Sequence, residues 1–443
     1  MKTIFITSFH VLISRNIFSA PFFEQLKEDK NLKIVLIVPS KKKEFFESEY
    51  GGGNVIVEGV ERKLTKIDDI FKDFASAAIK TRARELMREM NLGFERWYAQ
   101  NIFFFAPMVQ KFIPKLYEII MPRRRYKYLW KKYKPDLLFA TDVFSSVDII
   151  LMHEARARGI KFIGMVRSWD NLIGKGGFRV IPELLIVNNE IIKRDAVKLH
   201  GIKSESIRVV GIPHYDRYGL GPFNSKDEFY RKIGAKVEKR IILFAPLGDR
   251  FFSKNTFDCE ILDILQKIKP PTHQILVRCP PADTVDFEGI ALDGDTIINK
   301  PGKKFESIRD TELSMEDEKR LIDSLYWSDM LISGFTTLAI DAAAFDRPVI
   351  FIGFNGKSGL PPNESVARHF KFEHVEPVLA SGGVKLVNDI AELKKYINLY
   401  LKFPETDREG RRRIVLEQAS GGDHKSSQRL LGEIKAELGY ENI

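Results

Sequence analysis

Ser333, Gly334, Thr336, Thr337 and Asp341 fall within nine residues, between an apolar run, Met330 to Ile332, and a second one that begins after Arg347-Pro348. That order predicts a strand, a glycine turn, a helix opened by paired hydroxyls, and another strand. The first turn of a helix carries unpaired N–H groups and partial positive charge, so it receives phosphate well. Gly334 admits close backbone approach, and the hydroxyls add hydrogen bonds. Asp341 stands one turn deeper on the face of Thr337, because residues four apart are neighbours on a helix. Phosphate at the tip with a hydroxyl-seeking acid behind it would suit a nucleoside diphosphate. The plainer alternative is an ordinary strand–helix–strand unit whose hydroxyls only cap the helix.

Further chemistry-bearing residues sit just beyond other apolar runs. Arg278 closes the run Gln274–Val277 before Pro280-Pro281, and Asp249-Arg250 follows Ala245-Pro246. A guanidinium fork at Arg278 or Arg250 would suit donor phosphates, with a surface ion pair as the alternative. Asp142 follows Leu137–Ala140, and His10 follows Ile4–Thr7. Either is a candidate base for an acceptor hydroxyl; capping the next helix is the rival role for Asp142, and a structural role for His10. Arg167-Ser-Trp169-Asp170-Asn171 follows Phe162–Val166, with Gly174-Lys175-Gly176-Gly177 beyond. Polar groups this dense after a buried strand are expected to bind acceptor or sugar, Trp169 by stacking and Asp170 and Asn171 through hydroxyls.

Composition removes other classes of chemistry. Asp293-Gly-Asp295 has the spacing of a metal-binding acid pair but lies in a turn-like stretch, and the eight histidines are scattered. Neither pattern predicts a metal site, and no cofactor is expected. Cys259 and Cys279 are the only cysteines, which points to a reducing, cytoplasmic compartment. Met1–His10 reads as a buried first strand rather than a signal peptide, because Ser8 and His10 interrupt its apolar core. No run approaches the roughly 18 apolar residues of a membrane span. Net charge is +10, which favours an anionic partner.

The elements that must position these residues alternate. Ile4–Thr7, Lys33–Val38, Leu137–Ala140, Phe162–Val166, Leu184–Val187 and Ile207–Val210 read as strands, with helical stretches around 18–27, 146–158 and 191–199. After Gly211-Ile-Pro-His-Tyr-Asp216, Gly219 and Gly221-Pro222, the alternation restarts with Arg240–Phe244. Strands alternating with helices imply parallel sheets covered on both faces. Two doubly wound α/β domains are therefore expected, residues 1–217 on the acceptor side and 218–443 on the donor side, facing across a cleft. Ligands in such sheets lie at the carboxyl ends of the strands.

With these residues in view, the chain resembles the GT-B glycosyltransferases, which have two Rossmann-like domains. Ser333-Gly334-Phe-Thr336-Thr337-Leu-Ala-Ile-Asp341-Ala-Ala-Ala-Phe-Asp-Arg-Pro348 is similar to that family's Ser/Gly–Thr–…–Glu–Ala–…–Lys/Arg-Pro pattern, with Asp341 at the place of the commoner Glu. Val209-Val-Gly-Ile-Pro213…Asp216 resembles the family's interdomain segment. Phe244-Ala-Pro246 and Gly421-Gly-Asp423-His424-Lys-Ser426-Ser427 resemble segments of relatives that transfer glycerol phosphate from a CDP carrier. The resemblance implies a metal-independent transferase moving a sugar from a nucleotide donor to a lipid-linked or cell-surface glycan. A UDP-amino-sugar 2-epimerase and a CDP-glycerol- or CDP-ribitol-type polyol-phosphate transferase share the scaffold and are the alternatives.

One segment lies outside this scheme. From Trp97 to Lys134 aromatic and basic residues interleave, and residues 111–134 hold nine Lys/Arg against one acid, Glu118. Apolar rings with cations suit an anionic membrane surface on its inner, cytoplasmic face. An exposed basic helix beside a core-packed aromatic one is the alternative. Nucleic acid is not an expected partner, since no binding motif accompanies the patch.

Overall fold

The computed structural model describes residues 1–90, 106–307, 310–357 and 359–440. It divides into two compact units, residues 1–216 with 423–443, and residues 217–422. The first unit is built on seven strands: β1 (Lys2–Thr7), β2 (Leu32–Pro39), β3 (Val55–Val60), β4 (Leu137–Ala140), β5 (Lys161–Met165), β6 (Leu184–Val187) and β7 (Ile207–Val209). Their order is β3-β2-β1-β4-β5-β6-β7, and every pairing is parallel. Ile4, Phe5, Ile6, Leu137, Leu138 and Phe139 are fully buried, as runs of apolar residues in a two-face-covered parallel sheet must be.

The second unit repeats the plan. Its strands β8 (Arg240–Ala245), β9 (His273–Arg278), β10 (Thr296–Asn299), β13 (Ser328–Ser333), β14 (Val349–Ile352) and β15 (Val384–Val387) run parallel in the order β10-β9-β8-β13-β14-β15. A separate two-stranded ribbon joins β11 (Lys303–Lys304) to β12 (Thr311–Glu312). In both sheets the order reverses beside the first strand, which is where doubly wound folds place ligands. Sequence periodicity missed β3, β10 and β15. All three are the outermost or last-added strands, and their residues are only partly buried, so their apolar signal is diluted by exposed positions.

The expected single boundary at 217/218 needs correction. The chain returns to the first unit at Asp423, and its last helix, Ser426–Leu438, belongs there. Asp216 accounts for the return: its carboxylate accepts the Ser426 N–H at 3.1 Å and the Ser427 N–H at 2.6 Å, capping that helix from a distant part of the chain. His424 Nδ1 lies 3.1 Å from the Tyr215 carbonyl, and Arg429 Nε donates to the Val210 carbonyl at 3.0 Å. The Asp423–Ser427 segment therefore serves docking through its backbone N–H groups and the His424 ring. Asp216→Ala is expected to cost about 1–2 kcal/mol, the usual worth of a helix cap. Urea unfolding checks this; an unchanged midpoint would show that the cap is dispensable.

Among the described residues no helix is long and apolar enough to cross a membrane. The earlier part of the aromatic and basic run, residues 97–105, lies outside the described residues.

Candidate active site

The first constellation gathers where β1, β4 and β5 end. Thr7, at the end of β1, accepts the Thr141 N–H at 2.9 Å, and Thr141 Oγ1 donates to the Thr7 carbonyl at 2.9 Å. Thr7 also bonds Asp148, in the first turn of helix Ser146–Arg156. Burial, with the like charge of Asp142, pushes the Asp148 carboxyl up to about 7 against the pull of its hydrogen bonds. These bonds lace two strand ends together and so fix the loops that carry His10 and Asp142.

Asp142 is buried and fully engaged. Its Oδ2 takes Arg167 Nε at 2.9 Å and Lys175 Nζ at 3.5 Å, and its Oδ1 accepts the Phe144 N–H at 3.0 Å. Burial alone would raise its pKa, but Arg167 and Lys175 outweigh it and hold the carboxyl well below the usual range. A carboxylate so stabilised is a poor proton acceptor. Asp142 anchors two cations here, a role its place after β4 did not show.

His10 Nδ1 accepts the Leu12 N–H at 3.2 Å, so the ring proton of the neutral form sits on Nε2. Burial, then the charges of Arg167 and Lys175, push its pKa down to about 3, against the opposing pull of Asp142 and Asp170. His10 is thus a neutral N–H donor at physiological pH. Asp170 is half-buried and accepts from Asn171 Nδ2 at 3.1 Å. Trp169, also half-buried, packs on the core of this unit, and Asn171 is buried with its Oδ1 unpaired among the described residues. Arg167, Trp169, Asp170 and Asn171 are therefore brought together with His10 and Asp142.

Lys175 was not singled out by its sequence, although the glycines around it are a signal. Gly176 has φ +100°, and a Cβ there would lie 2.4 Å from the Ala75 carbonyl oxygen. Gly177 N–H donates to the same carbonyl at 2.7 Å. Only glycine allows this loop to lie against helix Lys66–Ala77 and aim Lys175 at Asp142.

The second constellation lies in the other unit, at the ends of β8, β9 and β13. Ser333 Oγ donates to the Ala245 carbonyl at 2.6 Å and is buried, so its hydroxyl binds strand to strand. Gly334 is required by packing: a Cβ would meet the Leu247 side chain at 2.6 Å. Thr336 Oγ1 accepts the Leu338 N–H at 3.2 Å, and exposed Thr337 precedes helix Leu338–Ala344 with no cap bond from its side chain. Asp341 is buried, its Oδ1 accepting from Tyr218 Oη at 2.6 Å. It points into the domain rather than along the outer face of Thr337.

Arg278 is nearly buried and bonds Asn299 Oδ1 at 2.8 Å and the Asp317 carbonyl at 3.3 Å. Arg250, half-exposed, lies over the Phe251 ring at 4.7 Å with Asp283 at 3.5 Å. Asp258, missed in the sequence, receives the Leu247 and Gly248 N–H groups at 2.8 and 2.9 Å and so holds the loop after β8. His369 was also missed, since nothing in Val366–Lys371 marks it. Its ring stacks on Phe335 at 4.9 Å and 7°, and meets Phe251 edge-on at 5.0 Å. Both ring nitrogens are buried without a hydrogen-bond partner among the described residues, and burial lowers its pKa to about 4.

Asp293 and Asp295 are neutralised by lysines, Lys269 at 2.9 Å on the first and Lys236 at 2.7 Å on the second. No cluster of three His, Cys, Asp or Glu side chains suited to a metal occurs among the described residues.

Two parallel doubly wound sheets with polar residues at their strand ends define the GT-B scaffold. Within that class the chain belongs to the family described as CDP-glycerol:poly(glycerophosphate) glycerophosphotransferase, which matches residues 152–434. A comparison with curated proteins returns no match. Among solved structures, the chain is similar to Staphylococcus aureus MnaA in complex with UDP, with TM-score 0.56 and 11% identity over 99% of this chain and 98% of that one. The UDP-GlcNAc 2-epimerase of Neisseria meningitidis bound to UDP-GlcNAc gives 0.56 and 10%, over 98% and 100%. The wall teichoic acid polymerase TagF, as its H548A variant, gives 0.51 and 12%, over 99% and 89%. Identities this low speak for the shared fold alone.

Proposed function

We propose that the chain transfers a group from a nucleotide-activated donor to a hydroxyl of a cell-envelope glycan or its lipid-linked precursor. The observation that carries this reading is the gathering of His10, Arg167, Asp170 and Lys175 around Asp142 at the strand ends of a member of this family. Asp170, whose charge acts on both His10 and Lys175, takes the acceptor's proton. The His10 Nε2–H, Arg167 and Lys175 offset negative charge that grows in the transition state. Trp169 and Asn171 line the acceptor. In the second unit the N–H groups at the helix tip, with Thr336, Thr337 and Arg250, hold the donor phosphates. Ser333, Gly334 and Asp341 shape that tip from behind, while Arg278 is engaged by Asn299 and Asp317.

The family match favours a polyol phosphate as the transferred group, and a sugar is the second reading. The two differ in the bond broken. Attack at phosphorus of a CDP-polyol releases CMP, while attack at the anomeric carbon of a nucleoside-diphosphate sugar releases a nucleoside diphosphate. Incubation with CDP-glycerol, CDP-ribitol and a panel of nucleotide sugars, with and without lipid-linked acceptor, separates them by the nucleotide released. Acceptor-dependent release, insensitive to EDTA and with a donor KM raised on the order of tenfold by Thr337→Val, is the expected result. Isomer formation without acceptor would instead make the chain an epimerase. The unpaired Cys259 and Cys279 support a reducing, cytoplasmic location for this step.

A further inference from the structure

Thr7 stands at the centre of a hydrogen-bond relay between the ends of β1 and β4. Its hydroxyl oxygen accepts the Thr141 N–H at 2.9 Å, and Thr141 Oγ1 gives its own proton to the Thr7 carbonyl at 2.9 Å. The Thr7 proton is left with two acceptors. Asp148 Oδ1 is in close contact, and the Phe139 carbonyl lies at 3.5 Å. Thr7, Thr141 and Asp148 are all fully buried, so water does not compete for these bonds.

An acid in this place has two forms that bond differently. As a carboxylate, Asp148 takes the Thr7 proton. As a neutral acid it gives its own proton from Oδ1 to Thr7 Oγ1, and the Thr7 hydroxyl turns to the Phe139 carbonyl. Both forms fit the same heavy atoms, and only protons move. The groups around Asp148 do not neutralise the carboxylate. Helix Ser146–Arg156 packs on β4 and β5, whose residues Leu137–Ala140 and Phe162–Met165 carry no titratable side chain. On its own helix the next titratable groups, His153 and Glu154, lie more than a turn away. From the loops after the strands, Asp142 acts on it as a like charge, and Arg167 and Lys175 are held by Asp142. Arg179 donates to the Phe144 carbonyl at 3.0 Å, and His10 is neutral.

We infer that Asp148 is a positioning residue whose proton tunes the acceptor-side cluster. Neutral, it ties the ends of β1 and β4 together and leaves Asp142 and Asp170 to balance Arg167 and Lys175. Ionised, it adds a further buried negative charge beside Asp142 and draws on the same two cations. Those cations then offset less of the charge that grows in the transition state, so turnover falls as Asp148 loses its proton. The position of its pKa, near 7, brings this change into the physiological range. The kinetic consequence rests on the function proposed above, whereas the buried proton does not.

Asp148→Asn keeps the size of the side chain and cannot ionise. Melting temperature is compared first, because it needs no substrate. A carboxyl whose folded pKa is raised contributes stability that is full below its unfolded value, near 4, and lost as the pH rises to the folded one, near 7. The difference between variant and parent should therefore move several degrees in the variant's favour across that range and then level off. In kinetics, the parent should show an alkaline limb near pH 7 that Asp148→Asn lacks. Thr7→Val removes a hydrogen bond that favours the anion, so its limb should move to higher pH, and Thr7→Ser should bring it back. The Thr7 pair decides the matter if Asp148→Asn does not fold. A melting difference that ignores pH overturns the proposal, and so does an alkaline limb that survives in Asp148→Asn. A parent chain inactive with every donor would count against the proposed function instead, with the melting comparison still deciding for or against Asp148.

Discussion

Asp170→Asn should reduce turnover by about two to four orders of magnitude, the usual worth of a positioned general base. The donor KM should stay near that of the parent, because Asp170 belongs to the other unit from the donor-site residues. The amide keeps the size of the side chain and the hydrogen bond from Asn171, but it cannot take a proton. Steady-state kinetics with a fixed acceptor reads the result directly. Asp142→Asn provides the contrast: it should lose stability together with activity, because it removes the anchor of Arg167 and Lys175. If Asp142→Asn kept its stability while Asp170→Asn kept its turnover, the base would have to be assigned back to Asp142.

Arg167→Met is the second large effect. Arg167 and Asp142 are both nearly buried, and their 2.9 Å contact is what offsets the cost of burying the carboxylate. Removing Arg167 leaves the buried carboxylate with only Lys175, at 3.5 Å, and costs up to about 3–5 kcal/mol. The loss should depend on pH, and its sign follows from the lowered pKa of Asp142. A carboxyl whose folded pKa lies below its unfolded value contributes stability that is present above the unfolded value, near 4, and lost as the pH falls through the folded one. In Arg167→Met only the share from Lys175 remains, so the penalty should be full at neutral pH and shrink in acid as Asp142 takes a proton. Denaturant melts at neutral and acid pH check this. A penalty that does not change between them would mean that Arg167 contributes packing rather than charge.

Much of the architecture could be read from the chain. Buried strands such as Leu137–Ala140 and Leu184–Val187 show as unbroken apolar runs, because both faces of a parallel sheet are covered, and their ends coincide with the observed ones. The strand, glycine turn and helix around Ser333–Asp341 are equally legible, since turn chemistry and helix periodicity are local properties. Local signals also placed polar residues at strand ends, where a doubly wound fold keeps its ligands.

What each of those side chains does was not local. Asp142 reads as a base or a cap in one dimension and becomes an anchor only because Arg167 and Lys175, far along the chain, fold onto it. Asp341 has the spacing of a ribose-binding acid, yet Tyr218 draws it inward, and Ser333 is spent on the Ala245 carbonyl of the neighbouring strand. His369 carries no motif and matters only through the rings of Phe335 and Phe251. The return of Asp423–Leu438 to the first unit depends on Asp216 finding two N–H groups more than two hundred residues away. Periodicity and turn chemistry report which atoms lie near one another within a turn or a strand, and that settled the elements and the class of fold. Charge pairing, capping at a distance and the exposure of a helix face depend on which elements pack together, so only the tertiary structure decided them.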